Sequence, residues 1–245
     1  MLRARLTVGF LSVSLFSWSL SSAAEPQQPG PSAEEAGFVP LFDGKSIDGW
    51  VQRGGKAVYA VEDGVIIGTS VPRTANSFLC TPRDYGDFIL ELELNVDAGL
   101  NSGVQIRSLC FDEPTVAEGV YPNGKPFKRK VPAGRVHGYQ VEIDPSSRSF
   151  SGGIYDEARR GWLNNLAGEE NRAAREAFRV GEWNTYRIEA RGDSIKTFVN
   201  GVPAADLTDG MTASGFIGLQ VHGIGGNKAL VGKQVRWRNL RIKEL

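Results

Sequence analysis

Phe88-Ile89-Leu90-Glu91-Leu92-Glu93-Leu94-Asn95-Val96-Asp97 decides the fold class of this chain. Successive strand side chains point to opposite faces, so the run sets Phe88, Leu90, Leu92, Leu94 and Val96 against Glu91, Glu93, Asn95 and Asp97. It reads as a long strand with one face on a core and the other in water. Two shorter runs, 58–62 and 65–68, flank Asp63-Gly64. That dipeptide suits a two-residue hairpin turn, because both central residues need positive φ.

Outward from these, strands are predicted at 103–108, 138–144, 152–155, 184–191, 195–200, 215–222 and 235–243, with turns at Gly192-Asp193 and Asn200-Gly201. Only residues 171–178 have helical composition, and they make two turns. Many short strands with 30 glycines and one short helix predict an all-β, two-sheet antiparallel sandwich of jelly-roll type. Trp50, Trp183 and Trp237 fall in strand-like segments and are expected in the core. Residues 109–136 form the longest stretch without strand pattern and carry four prolines and five basic residues. A loop of that length is either a functional lid or a solvated excursion.

The first 24 residues read as a secretory signal peptide, with Arg3 and Arg5, an apolar run over 6–20, and Ser22-Ala23-Ala24. The run is short of the roughly 20 residues a spanning helix needs, so stable membrane insertion is not expected. Residues 25–37 look like a disordered leader, and 38–245 like one domain. Without Arg3 and Arg5 the 28 basic side chains become 26 against 28 acidic ones, a near-neutral balance that argues against a nucleic-acid partner. The expected location is periplasmic or extracellular. Cys80 and Cys110 could bridge there, for about 3 to 4 kcal/mol over the loop they close, or stay as two buried thiols.

Strand parity also places the polar residues. In Gly138-Tyr139-Gln140-Val141-Glu142-Ile143-Asp144, Tyr139, Val141 and Ile143 face the core and Gln140, Glu142 and Asp144 face away. The same rule turns Gln105 and Arg107 out beside Val104 and Ile106, and Gln220 and His222 out beside Leu219 and Val221. On neighbouring strands these side chains converge in one groove, with Tyr139, Tyr155 and Trp162 near enough to stack on a sugar face. Amides, carboxylates and an arginine suit a polyhydroxylated ligand. The plainer alternatives are a solvated strand face, an Arg107 that only neutralises carboxylates, and structural roles for His137 and His222. There is no Gly-x-Ser-x-Gly elbow and no phosphate loop. Glu142-Ile143-Asp144 matches the first half of the Glu-x-Asp-x-x-Glu strand of laminarinase-like glycosidases. Ser147 stands where the second glutamate would be, which disfavours a two-carboxylate retaining mechanism.

Leu41-Phe42-Asp43-Gly44-Lys45, Gly49-Trp50, the hairpin at Asp63-Gly64, Asn101-Ser102-Gly103-Val104-Gln105-Ile106-Arg107 and the run from Gly138 to Asp144 occur in a specific order. Together they resemble the exported 3-keto-disaccharide hydrolase family, also described as 3-keto-α-glucoside 1,2-lyase and 3-keto-2-hydroxy-glucal hydratase. The likeness continues through 151–163, Trp183-Asn184, Val199-Asn200-Gly201 and 235–245. Many members carry Gly-x-Glu-x-Gln-Ile at the central strand, and here the amide and carboxylate are exchanged.

The resemblance implies a concanavalin-like jelly roll and a specific chemistry. A C3 ketone acidifies the C2 hydrogen of a glucoside; a base removes it, the enolate expels the C1 substituent, and water adds to the resulting 2-hydroxy-glucal. Glu142 is then the candidate base, with His222 or His137 as alternative base or as acid for the leaving group. Arg107, Gln105 or a divalent metal would meet the enolate oxygen. Gln140, Asp144, His137, Tyr155 and Trp162 would contact substrate. No cofactor is fixed; a divalent metal would be held by Glu142, Asp144 and His222. The competing class is a non-catalytic carbohydrate-binding module.

Overall fold

The computed structural model describes residues 36–121 and 123–245, so the expected signal peptide and most of the leader lie outside the described residues. In chain order the strands are β1 Val39–Pro40, β2 Val51–Gly54, β3 Val58–Glu62, β4 Val65–Thr69, β5 Ser77–Cys80, β6 Phe88–Val96, β7 Ser102–Leu109, β8 Thr115–Val120, β9 Pro126–Val131, β10 His137–Ile143, β11 Ile154–Glu157, β12 Gly161–Asn164, β13 Asn184–Arg191, β14 Ser194–Val199, β15 Val202–Thr208, β16 Phe216–Val221 and β17 Gln234–Glu244. Helix α1, Arg172–Ala177, lies between β12 and β13, within the residues expected to be helical.

Two antiparallel sheets form the predicted sandwich. One runs β15-β14-β13-β6-β17-β4-β3, with β1 also paired to β17, and the other runs β12-β11-β10-β7-β16-β5-β2. The alternation of β6 holds: Phe88, Leu90, Leu92, Leu94 and Val96 are buried, and Glu91, Glu93 and Asn95 are partly exposed. They share one core with Val104, Ile106, Tyr139, Val141, Ile143, Leu219 and Val221 of the other sheet. Each such side chain contributes about 1.5 to 3 kcal/mol by leaving water, so a one-residue slip of β6 would be strongly unfavourable. Asp63 and Gly64 have φ of 48° and 77°, as the hairpin turn between β3 and β4 requires.

Across the core, the Tyr186 hydroxyl of β13 donates to the backbone carbonyl of Glu142 at 3.1 Å. The Gly152 amide donates to the same carbonyl at 2.9 Å. The backbone beneath Glu142 is therefore fixed by both sheets.

The 109–136 stretch departs from expectation, because it contains the separate hairpin β8–β9. Ala117, Phe127 and Val131 form its small apolar face against Met211, too few residues to give a readable alternation. Arg129 donates to the Arg159 carbonyl at 2.9 Å and Arg160 to the Val120 carbonyl at 3.1 Å, which dock the hairpin. Strand β5 escapes sequence reading for the opposite reason: between β16 and β2 it is buried on both faces and shows no alternation. Trp237 is in the core, Trp50 packs partly against it, and Trp183 lies under the Arg238 guanidinium at 4.0 Å. Cys80 and Cys110 are unbonded thiols in one small cluster, and burial pushes the Cys80 thiol up to about 12.

Candidate functional site

The site stands on the outer face of β10 and its neighbours. Register puts Gln220 of β16, Gly103 of β7 and Glu142 of β10 in one row, and Gly218, Gln105, Gln140 and Tyr155 in the next. Gly103 has no side chain, and that vacancy holds Gln140: an added Cβ would stand 2.4 Å from its Cδ and 2.6 Å from its Nε2. Gln140 Oε1 accepts from Gln105 Nε2 at 2.7 Å and from Gln220 Nε2 at 2.8 Å. With its oxygen taken twice, Gln140 must present its NH2 group to the carboxylate, and Nε2 donates to Glu142 Oε2 at 2.9 Å. Asn101 Nδ2 donates to the other oxygen, Oε1, at 2.7 Å.

Glu142 is 5 % exposed. Burial raises its pKa to about 7, with the Asp144 carboxylate adding to the effect, while the Asn101 and Gln140 bonds and the Arg148 charge pull the other way. A carboxylate poised there alternates between base and acid near neutrality. Because Gln140 and Glu142 are bonded neighbours on one face, exchanging amide and carboxylate along this strand retains the pair.

Glu142 opens on a groove of about 550 Å³, a size usual for small-molecule sites. Gln140, Asp144, Tyr155, Trp162 and His222 line it as expected from the sequence, as does Gln220. His222 Nδ1 lies 2.9 Å from the Gly223 carbonyl. Burial lowers its pKa, so the ring is neutral at pH 7, and a proton on Nδ1 leaves the Nε2 lone pair as an acceptor. Tyr155 and Trp162 meet edge to face at 5.3 Å. Asp144 is largely engaged by its own turn: its oxygens accept from the Ser146 and Phe150 amides, and Arg148 pairs with it at 3.1 Å.

Three expected site residues stand elsewhere. Arg107 occupies a bulge, at φ 44°, where Arg107 and Ser108 oppose the single residue Gly138. The extra residue breaks strand parity, and the fully buried guanidinium donates to the Gly86 and Gly192 carbonyls at 2.8 and 2.6 Å and to Asp87 at 2.8 Å. His137 is five residues from Glu142, about 16 Å along β10. It is buried against Phe111, with Nδ1 3.0 Å from the Arg135 carbonyl, outside the groove lining. Gln105 lies beneath the groove as a support for Gln140, taking a 2.7 Å bond from Ser108. Tyr139, also considered for stacking, is in the core and its hydroxyl is bonded to Asp209.

Asn101, Asn76 and the Arg135–Glu157 ion pair also line the groove and are not among the site residues expected from sequence. Asn101 opens the Asn-Ser-Gly run of the resemblance, which is the signal that could have found it. Asn76 Oδ1 accepts from the Gly223 amide at 2.9 Å, so its NH2 is the end left for a ligand. The fit to a divalent metal is poor: both Glu142 oxygens already accept amide protons, and among the described residues no three His, Cys, Asp or Glu side chains group as metal ligands.

A family model for the 3-keto-alpha-glucoside-1,2-lyase-like domain matches residues 37–243. No protein of curated function matches the sequence. Among solved structures, a candidate glycosyl hydrolase from Parabacteroides distasonis aligns over 85 % of this chain and 94 % of its own, at 20 % identity and a TM-score of 0.52. A Bacillus subtilis protein of unknown function with a galectin-like fold aligns over 84 % and 94 %, at 10 % identity and 0.53. Arcelin-5, a lectin-like defence protein of Phaseolus vulgaris, aligns over 84 % and 95 %, at 10 % identity and 0.50. These likenesses concern the fold; the match over the whole domain establishes that the chain belongs to the 3-keto-alpha-glucoside-1,2-lyase-like family.

Proposed function

We propose that this protein is an exported enzyme that cleaves 3-keto-glucosides by elimination followed by hydration, with Glu142 as the base. The observation that carries the reading is the buried Glu142 carboxylate, raised to about 7 and aimed by Asn101 and Gln140 at a polar groove. Glu142 takes the C2 proton, and the C–H electron pair passes into the C3 carbonyl as an enolate. The enolate collapses, forming the C1–C2 double bond while the C1–O bond breaks and the leaving oxygen takes a proton. Water then adds its hydroxyl to C1 and a proton to C2, which restores the 3-keto sugar and completes net hydrolysis.

The neutral His222 ring does not serve as acid near pH 7. Glu142, newly protonated, is the proton donor at hand, and His222 Nε2 is suited to accept from the attacking water or a sugar hydroxyl. The enolate oxygen would be met by N–H donors, and Gln140 and Asn76 supply them in the groove. No step is routed through a metal.

The deciding assay offers the purified protein a 3-keto-glucoside and the corresponding unoxidised glucoside. Release from the first alone is expected, because only the ketone makes the C2 hydrogen acidic enough for a carboxylate. Release from both would point to a conventional glycosidase, and binding of either without turnover to a lectin-like module. Export is expected to leave a mature chain starting near Glu25, read by the N-terminal mass of secreted material; an intact Met1 would overturn that part.

A further inference from the structure

Behind Trp162 lies a second cleft of about 510 Å³, whose lining includes Asn164, Asn165, Asn171, Glu170 and Asp206. Trp162 lines both this cleft and the Glu142 groove, so the indole is a wall they share. That indole is held from two sides by ring edges, Phe150 at 5.4 Å and 85° and Tyr155 at 5.3 Å and 79°, while it stays partly exposed. A clamped aromatic at a polar boundary offers stacking area without loss of side-chain freedom.

The amides next to it are oriented as well. Asn164 Oδ1 accepts the Leu166 amide at 3.3 Å and Asn165 Oδ1 accepts the Ala167 amide at 3.1 Å. Each oxygen is tied down, so the cleft is offered NH2 groups, which have no hydrogen-bond partner among the described residues. Fixed N–H donors beside an aromatic plane are complementary to hydroxyl oxygens and to the C–H face of a sugar ring.

We propose that this cleft is a second sugar subsite, which takes the unit attached at C1 of the ring held over Glu142; the assignment rests on the lyase reading above. With the C3 oxygen assigned to Asn76, which is bonded to Gly223 beside His222, C1 lies on the other side of the deprotonated carbon, away from that edge. Beyond β10 on that side the sheet continues through Tyr155 of β11 to Trp162 of β12, whereas Gln220 and His222 stand on the opposite edge. The cleft thereby favours polyhydroxylated leaving groups over small alkyl ones.

The test compares kcat/KM for the 3-keto form of a glucosyl-glucose disaccharide with that for methyl 3-keto-glucoside, in wild type, Trp162→Ala and Asn165→Ala. The disaccharide-to-methyl ratio should fall about tenfold in Trp162→Ala, carried mainly by KM. It should fall about fivefold in Asn165→Ala, the loss of one hydrogen bond. In parallel, NMR follows the Trp162 indole N–H and the Asn165 side-chain NH2 of wild type as unoxidised disaccharide is added, and both should shift. A ratio unmoved by either variant, or moved instead by Arg148→Ala, overturns the subsite. If wild type turns over neither keto substrate, the lyase reading fails, and the Asn165 resonance then decides the cleft: a shift supports it and a stationary signal rejects it.

Discussion

Gly103 leaves the space in which Gln140 lies: a Cβ there would come within 2.4 Å of Cδ and 2.5 Å of Cγ. The backbone of Gly103 does not need glycine, since its φ is not positive. What is selected is the absence of a side chain between Gln220 and Glu142. Gly103→Ala should therefore fold, at a cost of about 1 to 3 kcal/mol for overpacking. It should also push Gln140 off Glu142 Oε2. That donor holds the Glu142 pKa down, so the alkaline-rising limb of kcat/KM should move to higher pH and the plateau should drop at least about tenfold. An unchanged pH profile would show that Gln140 does not position the carboxylate.

Glu142 also makes a stability prediction that needs no substrate. Its ordinary pKa is 4.5 and its folded value is about 7. The folded state thus holds this proton more tightly than the unfolded chain, and the resulting stability is complete below about 4.5 and lost as pH rises through 7. Wild type should lose about 3 kcal/mol of unfolding free energy relative to Glu142→Gln as pH rises from 4.5 past 7. Denaturant unfolding of both proteins from pH 4.5 to 8 measures it; a difference independent of pH would mean that Glu142 is ionised throughout.

Arg107 separates scaffold from site. Its guanidinium reaches from β7 to Gly86, Asp87 and Gly192, at the ends of β6 and β13 in the other sheet, remote from the groove lining. Arg107→Leu should lower stability by about 2 to 4 kcal/mol, since two part-buried carbonyls and Asp87 lose a charged donor. Turnover of the fraction that remains folded should stay within about threefold of wild type. Loss of activity in a fully folded Arg107→Leu protein, with unchanged melting, would return Arg107 to the catalytic set.

The same residue marks where sequence reading ended. Strand parity correctly brought Gln140, Glu142, Gln220 and His222 to one face, because β10, β7 and β16 keep regular register through Gln105 and Gly103. One inserted residue at the bulge reverses parity for everything beyond it, and neither Arg107 nor Ser108 is the glycine that would have announced a positive φ. Alternation likewise revealed β6, half in water, but not β5, buried on both faces. Asn101 and Asn76 were hidden because they stand outside regular strands, where no period applies. Their roles come from hydrogen bonds to residues 41 and 147 positions away.

Gln220 carries the last prediction. The side chain is fully buried at the groove, Nε2 is committed to Gln140 Oε1 at 2.8 Å, and Oε1 has no hydrogen-bond partner among the described residues. A buried acceptor left unpaired costs about 1 to 3 kcal/mol, and a ligand hydroxyl that donates to it, after a small turn of the amide opens the oxygen to the groove, recovers that cost on binding. The groove should therefore discriminate against a sugar lacking that one hydroxyl far more strongly than size alone permits. Across a series of monodeoxy 3-keto-glucosides, wild type should show one position whose removal lowers kcat/KM by about 10- to 100-fold. Gln220→Met, close in shape and without the acceptor, should reduce the penalty at that position to within about threefold while leaving the other positions as they were. If the penalty at every position is the same in wild type and Gln220→Met, the orphaned oxygen is not what the sugar meets.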